Sequence, residues 1–165
     1  MTTEPERKTL RTAIIRPKLD AALPPGTLIL TLDGALPIEM LYAGDRVITR
    51  DAGAQRIRAI VRRKLPKNTR LVRICKDALG GKPGADISVL PQQRLIIRDW
   101  RAQALYGAKQ AQIEAGRLID GHHITWDDTL PTHMISLYFT EPRVVYAGGL
   151  ELLCSAPEHH TIVPN

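Results

Sequence analysis

GTLILTLDGALPIEMLYAGDRVITRD, residues Gly26–Asp51, decides the fold class. Apolar residues alternate through Thr27–Thr31 and again through Arg46–Thr49, the period of a half-buried strand. Asp33-Gly34 and Gly44-Asp45 punctuate the stretch as turns. Asp-Gly between alternating flanks is a strong hairpin signal, because glycine reaches positive φ without a Cβ clash. Pro37–Leu41 holds Ile38, Met40 and Leu41, enough for one helical turn and no more. Strand, turn, helical turn, turn, strand is the signature of a compact β domain.

Working outward, Ile57, Ala59 and Val61 alternate with Arg56, Arg58 and Arg62 as another strand, and Leu71–Cys75 as a further one. Gly80–Gly84 reads as an exposed loop. Ile87–Val89 and Leu95–Ile97 flank Leu90-Pro91-Gln92-Gln93-Arg94, where Pro91 favours a bend. Trp100, Ala104, Ala108, Ala111 and Ala115 fall at helical spacing, but Gly107 and Gly116 each cost a helix interior about 1 kcal/mol. Met134–Phe139 and Val144–Tyr146 are the last expected strands. Pro17, Pro24 and Pro25 make residues 1–21 a tail or linker, with Ile14-Ile15 as an optional edge strand.

At 165 residues the chain is one domain with one core. Aromatic content of only 4% makes that core aliphatic, and 12 Gly with 12 Pro favour many turns and short strands. No apolar run is long enough to span a membrane, and the N-terminus lacks a Sec-type signal. A cytoplasmic location is the default expectation, with secretion by another route left open. Cys75 and Cys154 can pair or stay free.

The opening pattern, with Ala78-Leu79-Gly80, Leu90–Arg94 and Ala147-Gly148-Gly149-Leu150, resembles a Hint domain, the module of hedgehog autoprocessing domains and inteins, and most closely its bacterial branch. The resemblance covers about Ala22 to Leu153. It implies an all-β fold of two intertwined, pseudo-symmetric halves and a tail over residues 154–165. It also places a strand near Gln110–Glu114, which breaks the helix begun at Trp100. An internal echo fits two halves: Leu41–Val47 is matched by Leu118–Ile124, both reading Leu-x-x-Gly and then a strand.

Hint chemistry, as the resemblance implies it, starts with a Cys or Ser that attacks the preceding carbonyl. A histidine then protonates the departing nitrogen. The positions matching these groups hold Ala22 for the nucleophile, Leu90 for a hydroxyl residue, Gln93 for the histidine and Pro142 for a late histidine. Glutamine hydrogen-bonds but does not titrate near neutrality. A minority of inteins also begin with alanine and use a nucleophile placed after the intein. The end Val163-Pro164-Asn165 puts proline where such ends favour histidine.

No catalytic residue, cofactor or metal is therefore expected. Neither His122-His123 nor His159-His160 chelates readily, since neighbouring strand residues face opposite ways, and His133 stands alone. Net charge is +6, and no acid interrupts Arg56, Arg58, Arg62, Arg63, Lys64, Lys67, Arg70, Arg73 and Lys76. On one hairpin these would form a polyanion surface. The plainer reading of the run is a solvated face that blunts an edge strand. No aromatic is interleaved for base stacking, so any polyanion binding is expected to be weak and non-specific. Three functions follow: a silent Hint-like module with an unknown protein partner, a self-processing domain with an atypical nucleophile, or a basic polyanion binder.

Overall fold

A computed structural model describes residues 22–155 together with the short segments Ile15–Arg16 and Glu158–His159. Strand β1 (Ile15–Arg16) is the described part of the expected edge strand, and Ile14 lies outside the described residues. So do His160 and the Val163–Asn165 end. Then come β2 (Ala22–Leu23), β3 (Leu28–Thr31) and β4 (Gly34–Pro37). A 3-10 turn, Ile38–Met40, leads to β5 (Arg46–Thr49), β6 (Gly53–Arg56), β7 (Ala59–Arg63), β8 (Leu71–Ile74), β9 (Ile87–Val89) and β10 (Arg94–Ile97). Helix α1 (Trp100–Tyr106), β11 (Ala111–Glu114) and a second 3-10 turn, Ala115–Leu118, follow. The last strands are β12 (Ile124–Asp127), β13 (Met134–Tyr138), β14 (Arg143–Ala147), β15 (Leu150–Cys154) and β16 (Glu158–His159).

The all-β expectation holds. Eight strands form the main sheet, in the order β11-β10-β15-β14-β3-β5-β6 with β4 on β3. Two three-stranded sheets, β12-β8-β9 and β2-β13-β7, and the antiparallel pair β1-β16 complete the fold. The core is aliphatic, as composition demands: Ile29, Val47, Val72, Ile113, Ile135 and Leu152 are among its buried members, with Phe139 the one phenylalanine of the chain.

The Asp33-Gly34 hairpin differs from the sequence reading in its second arm. Its partner for β3 is β4, with Leu28 opposite Pro37 and Thr31 opposite Gly34, while β5 meets β3 only at Thr31–Val47. Gly34 sits at φ 97, which a Cβ would strain. The Thr31 hydroxyl accepts from Asp33 N–H and donates to the Gly34 carbonyl. Thr49 repeats the device, accepting from Ala52 N–H and donating to the Gly53 carbonyl.

The single strand expected across Ile57–Val61 is broken at Ile57-Arg58. Ile57 still exchanges hydrogen bonds with Gly44 and Asp45, whereas Arg58 N–H already donates to the Tyr138 carbonyl in the next sheet. The expected helix break is present: Asp99 caps α1, and Gly107 ends it at φ 64, before β11 begins.

Around the echoed segments the order of elements repeats. Strand β4 and its 3-10 turn recur as β11 and its 3-10 turn at an offset of 77 residues, 34 to 111, and each is followed by a strand. Strands distant in sequence pair: β8 with β12, β14 with β5, and β7 with β13.

Candidate functional site

Strand β2 brings the chain into the domain along β13, with Leu23 opposite Ile135 and Ala22 opposite Ser136. Ala22 is fully buried and packs with Leu71, Leu90 and Met134, against which Leu65 and Leu130 also lean. The structure thus brings together two of the four positions singled out in the sequence, Ala22 and Leu90. Every side chain of that cluster is hydrocarbon or thioether, so none offers an attacking atom or an exchangeable proton.

Gln93 belongs to the same turn as Leu90, donating its backbone N–H to the Leu90 carbonyl at 3.0 Å. The second 3-10 turn holds this segment: Ala115 N–H donates to the Gln93 carbonyl and Gly116 N–H to that of Pro91. The Gln93 side chain is buried, and its amide donates to the carbonyls of Arg94 and Leu153, each at 3.0 Å. Pro142 is not in the Ala22 cluster. It is exposed and lines a separate cleft with Arg50, Asp51, Gln110 and Leu153. Leu153 links the two places, as acceptor for Gln93 and as a wall beside Pro142.

Ser136 is the residue that sequence reading missed. It is a buried hydroxyl facing Ala22, and only the β2–β13 register reveals it.

Cys75 and Cys154 are free thiols, and burial pushes the Cys154 thiol up to about 12. His122 and His123 sit exposed on a loop where Asp120 accepts their backbone N–H groups and that of Ile124. Burial alone would raise the Asp120 carboxyl, but those three N–H donors outweigh it and hold it down to about 2. His133 shares a hydrogen bond with Thr132. Among the described residues, no three His, Cys, Asp or Glu are placed to hold a metal ion, and no helix is long and apolar enough to cross a membrane.

The basic run does not lie on one hairpin. Arg56 is on β6 of the main sheet, Arg62 and Arg63 on β7, and Arg73 on β8 of a third sheet. Several of these cations are already engaged. Arg56 donates to the Gly44 carbonyl and Arg62 to that of Glu39, while Arg70 pairs with Asp128 and Arg73 with Asp86. Arg58, Arg63, Lys64, Lys67 and Lys76 remain exposed. The aromatic absent from the run in sequence is supplied across the sheet: Arg70 stacks 4.5 Å from the ring of Trp126 on β12.

A family model described as the Hint domain matches residues 21–154. The chain belongs to the Hint-domain family. The solution structure of a bacterial intein-like domain from Clostridium thermocellum is similar to this Hint domain at 19% identity and a TM-score of 0.57, covering 81% of this chain and 97% of that one. A splice-inactive variant of the AceL NrdHF class 3 split intein is similar at 17% identity and a TM-score of 0.52, over 83% and 99% of the two chains. The MchDnaB-1 intein in its N145AA form is similar at 12% identity and a TM-score of 0.53, over 82% and 100%. At these identities the likeness carries the fold alone. No curated protein matches the chain in sequence.

Proposed function

We propose that this Hint domain is catalytically silent and kept as a structural or interaction module. The observation that carries the reading is the buried apolar cluster of Ala22, Leu71, Leu90 and Met134 at the point where the chain enters the domain. Self-cleavage needs an attacking atom, an acid for the departing nitrogen and donors for the oxyanion. Ala22 offers only a methyl group. The Gln93 amide has no proton to release near neutrality and is occupied by two carbonyls. Ser136 faces Ala22, but no hydrogen bond joins its hydroxyl to a histidine or carboxylate among the described residues.

The purified protein, incubated with dithiothreitol or hydroxylamine to intercept thioesters and esters, is expected to keep its intact mass. A fragment beginning at Ala22, or at any other discrete residue, sinks the silent reading and puts self-processing first. Groups that act as a unit restore rate only together. Ala22→Cys alone should therefore cleave barely at all, and Ala22→Cys with Leu90→Thr and Gln93→His measurably more.

A further inference from the structure

Beside the Ala22 cluster lies a cleft of about 900 Å3, within the size range of small-molecule sites. Pro24, Leu28, Leu30, Leu71, Ile87 and Leu130 give it apolar walls. Leu71 and Leu130 also pack in or against the Ala22 cluster, so one end of the cleft backs onto hydrocarbon. The other end is built differently. There Gly148 N–H donates to the Leu28 carbonyl, the Gly148 carbonyl accepts from Gly84 N–H, and Gly149 leaves room for the Lys82 stem, whose Cγ lies 3.9 Å from where a Cβ would stand.

Two charged side chains line the cleft, Lys82 and Asp86. The Asp86 carboxylate is already taken by the Arg73 guanidinium and by Lys76 N–H. The Lys82 ammonium has no ion-pair or hydrogen-bond partner among the described residues, and neither has the Tyr146 hydroxyl in the same lining. Lys82 is exposed, so this is a solvated cation at the rim of an apolar trough, and an anion carried on a hydrocarbon chain complements both.

We propose that this cleft binds a linear aliphatic carboxylate, its chain along Leu28, Leu30 and Leu71 and its head on Lys82 and Tyr146. An alkyl chain fits these walls better than a peptide does. Pro24, Pro25 and Pro131 offer a peptide no N–H along their part of the lining, whereas an alkyl chain has no main-chain groups to pair. The inference does not rest on catalytic silence, since no atom of the cleft is asked to react.

Calorimetric titration of the intact chain with octanoate, decanoate and dodecanoate, each below its micelle concentration, tests it. Each two-carbon step should tighten binding about tenfold until the cleft is full. Dodecanoate should bind about tenfold tighter than dodecanol. Lys82→Glu should reverse the order, favouring dodecylamine over dodecanoate. Leu28→Ala, at a residue 45% exposed, should weaken all three ligands while the protein still melts in one cooperative transition. Equal affinity for dodecanol and dodecanoate, indifference to Lys82→Glu, or tighter binding of the peptide acetyl-Leu-Val-Leu-Val than of dodecanoate would each overturn the proposal.

Discussion

Cys154 and Cys75 carry the same thiol into two different surroundings. Cys154 is buried on β15, and loss of water pushes it up to about 12 from an ordinary value of 9.0. Cys75 is half-buried just past β8, its N–H donating to the His123 carbonyl. Thiolate is the reactive form, so burial protects Cys154 both by access and by ionisation. One thiol per chain should react with a disulfide reagent at pH 8 in the native protein and two in denaturant. Cys75→Ser should abolish the native reaction, and prompt labelling of Cys154 without unfolding would contradict the burial argument. The pH dependence has a definite sign. The folded value is raised, so the thiol's contribution to stability is fully present below about pH 9 and is lost as pH climbs towards 12.

The second 3-10 turn, Ala115–Leu118, is the element that holds the Leu90–Gln93 turn in place. A Cβ added at Gly116 would stand 3.3 Å from the Pro91 carbonyl oxygen and 3.4 Å from its Cβ, against backbone already fixed by the 2.8 Å hydrogen bond between the two residues. Gly116→Ala should therefore destabilise the fold by about 1–2 kcal/mol, the usual scale of overpacking. Gly84 is the control. Its added Cβ meets nothing within 4 Å and its φ is ordinary, so Gly84→Ala should be neutral or stabilising by up to about 1 kcal/mol through the unfolded chain. Urea midpoints compare the two variants. Equal midpoints would show that the turn gives way freely and that Gly116 is not what seats it.

At the scale of the molecule, the sheets are built from strands far apart in the chain rather than from neighbours alone. β8 finds its partners in β12 and β9, and β14 crosses to β3 and β5. No sheet larger than a pair is completed by sequence neighbours alone, so the domain should unfold in one step. Far-UV circular dichroism and Trp126 fluorescence, the latter read in a Trp100→Phe background, should give superimposable urea transitions. Separated midpoints would mean that the β12-β8-β9 sheet, where Trp126 sits, melts by itself.

The sequence by itself determined what local chemistry controls. Alternating apolar residues set β3, β5, β9 and β10 close to their observed bounds, and Gly107 stopped the helix where its left-handed φ is needed. That Ala22, Leu90 and Gln93 carry no attacking or titrating group is likewise legible in the sequence. Other features rest on partners far away in the chain. Strand β4 has little strand pattern and exists because the hairpin turn lays it on β3. Strand β15, not among the expected strands, is buried almost throughout and does not alternate. A run of cations continuous in sequence is divided among three sheets because the chain changes sheet at Ile57-Arg58 and again before β8. Ser136 faces Ala22, Pro142 stands apart and Lys82 overlooks an apolar cleft because of strand register and packing. Turn preference and alternation act over a few residues and can be read along the chain. Which strand lies beside which is settled only when the whole core closes.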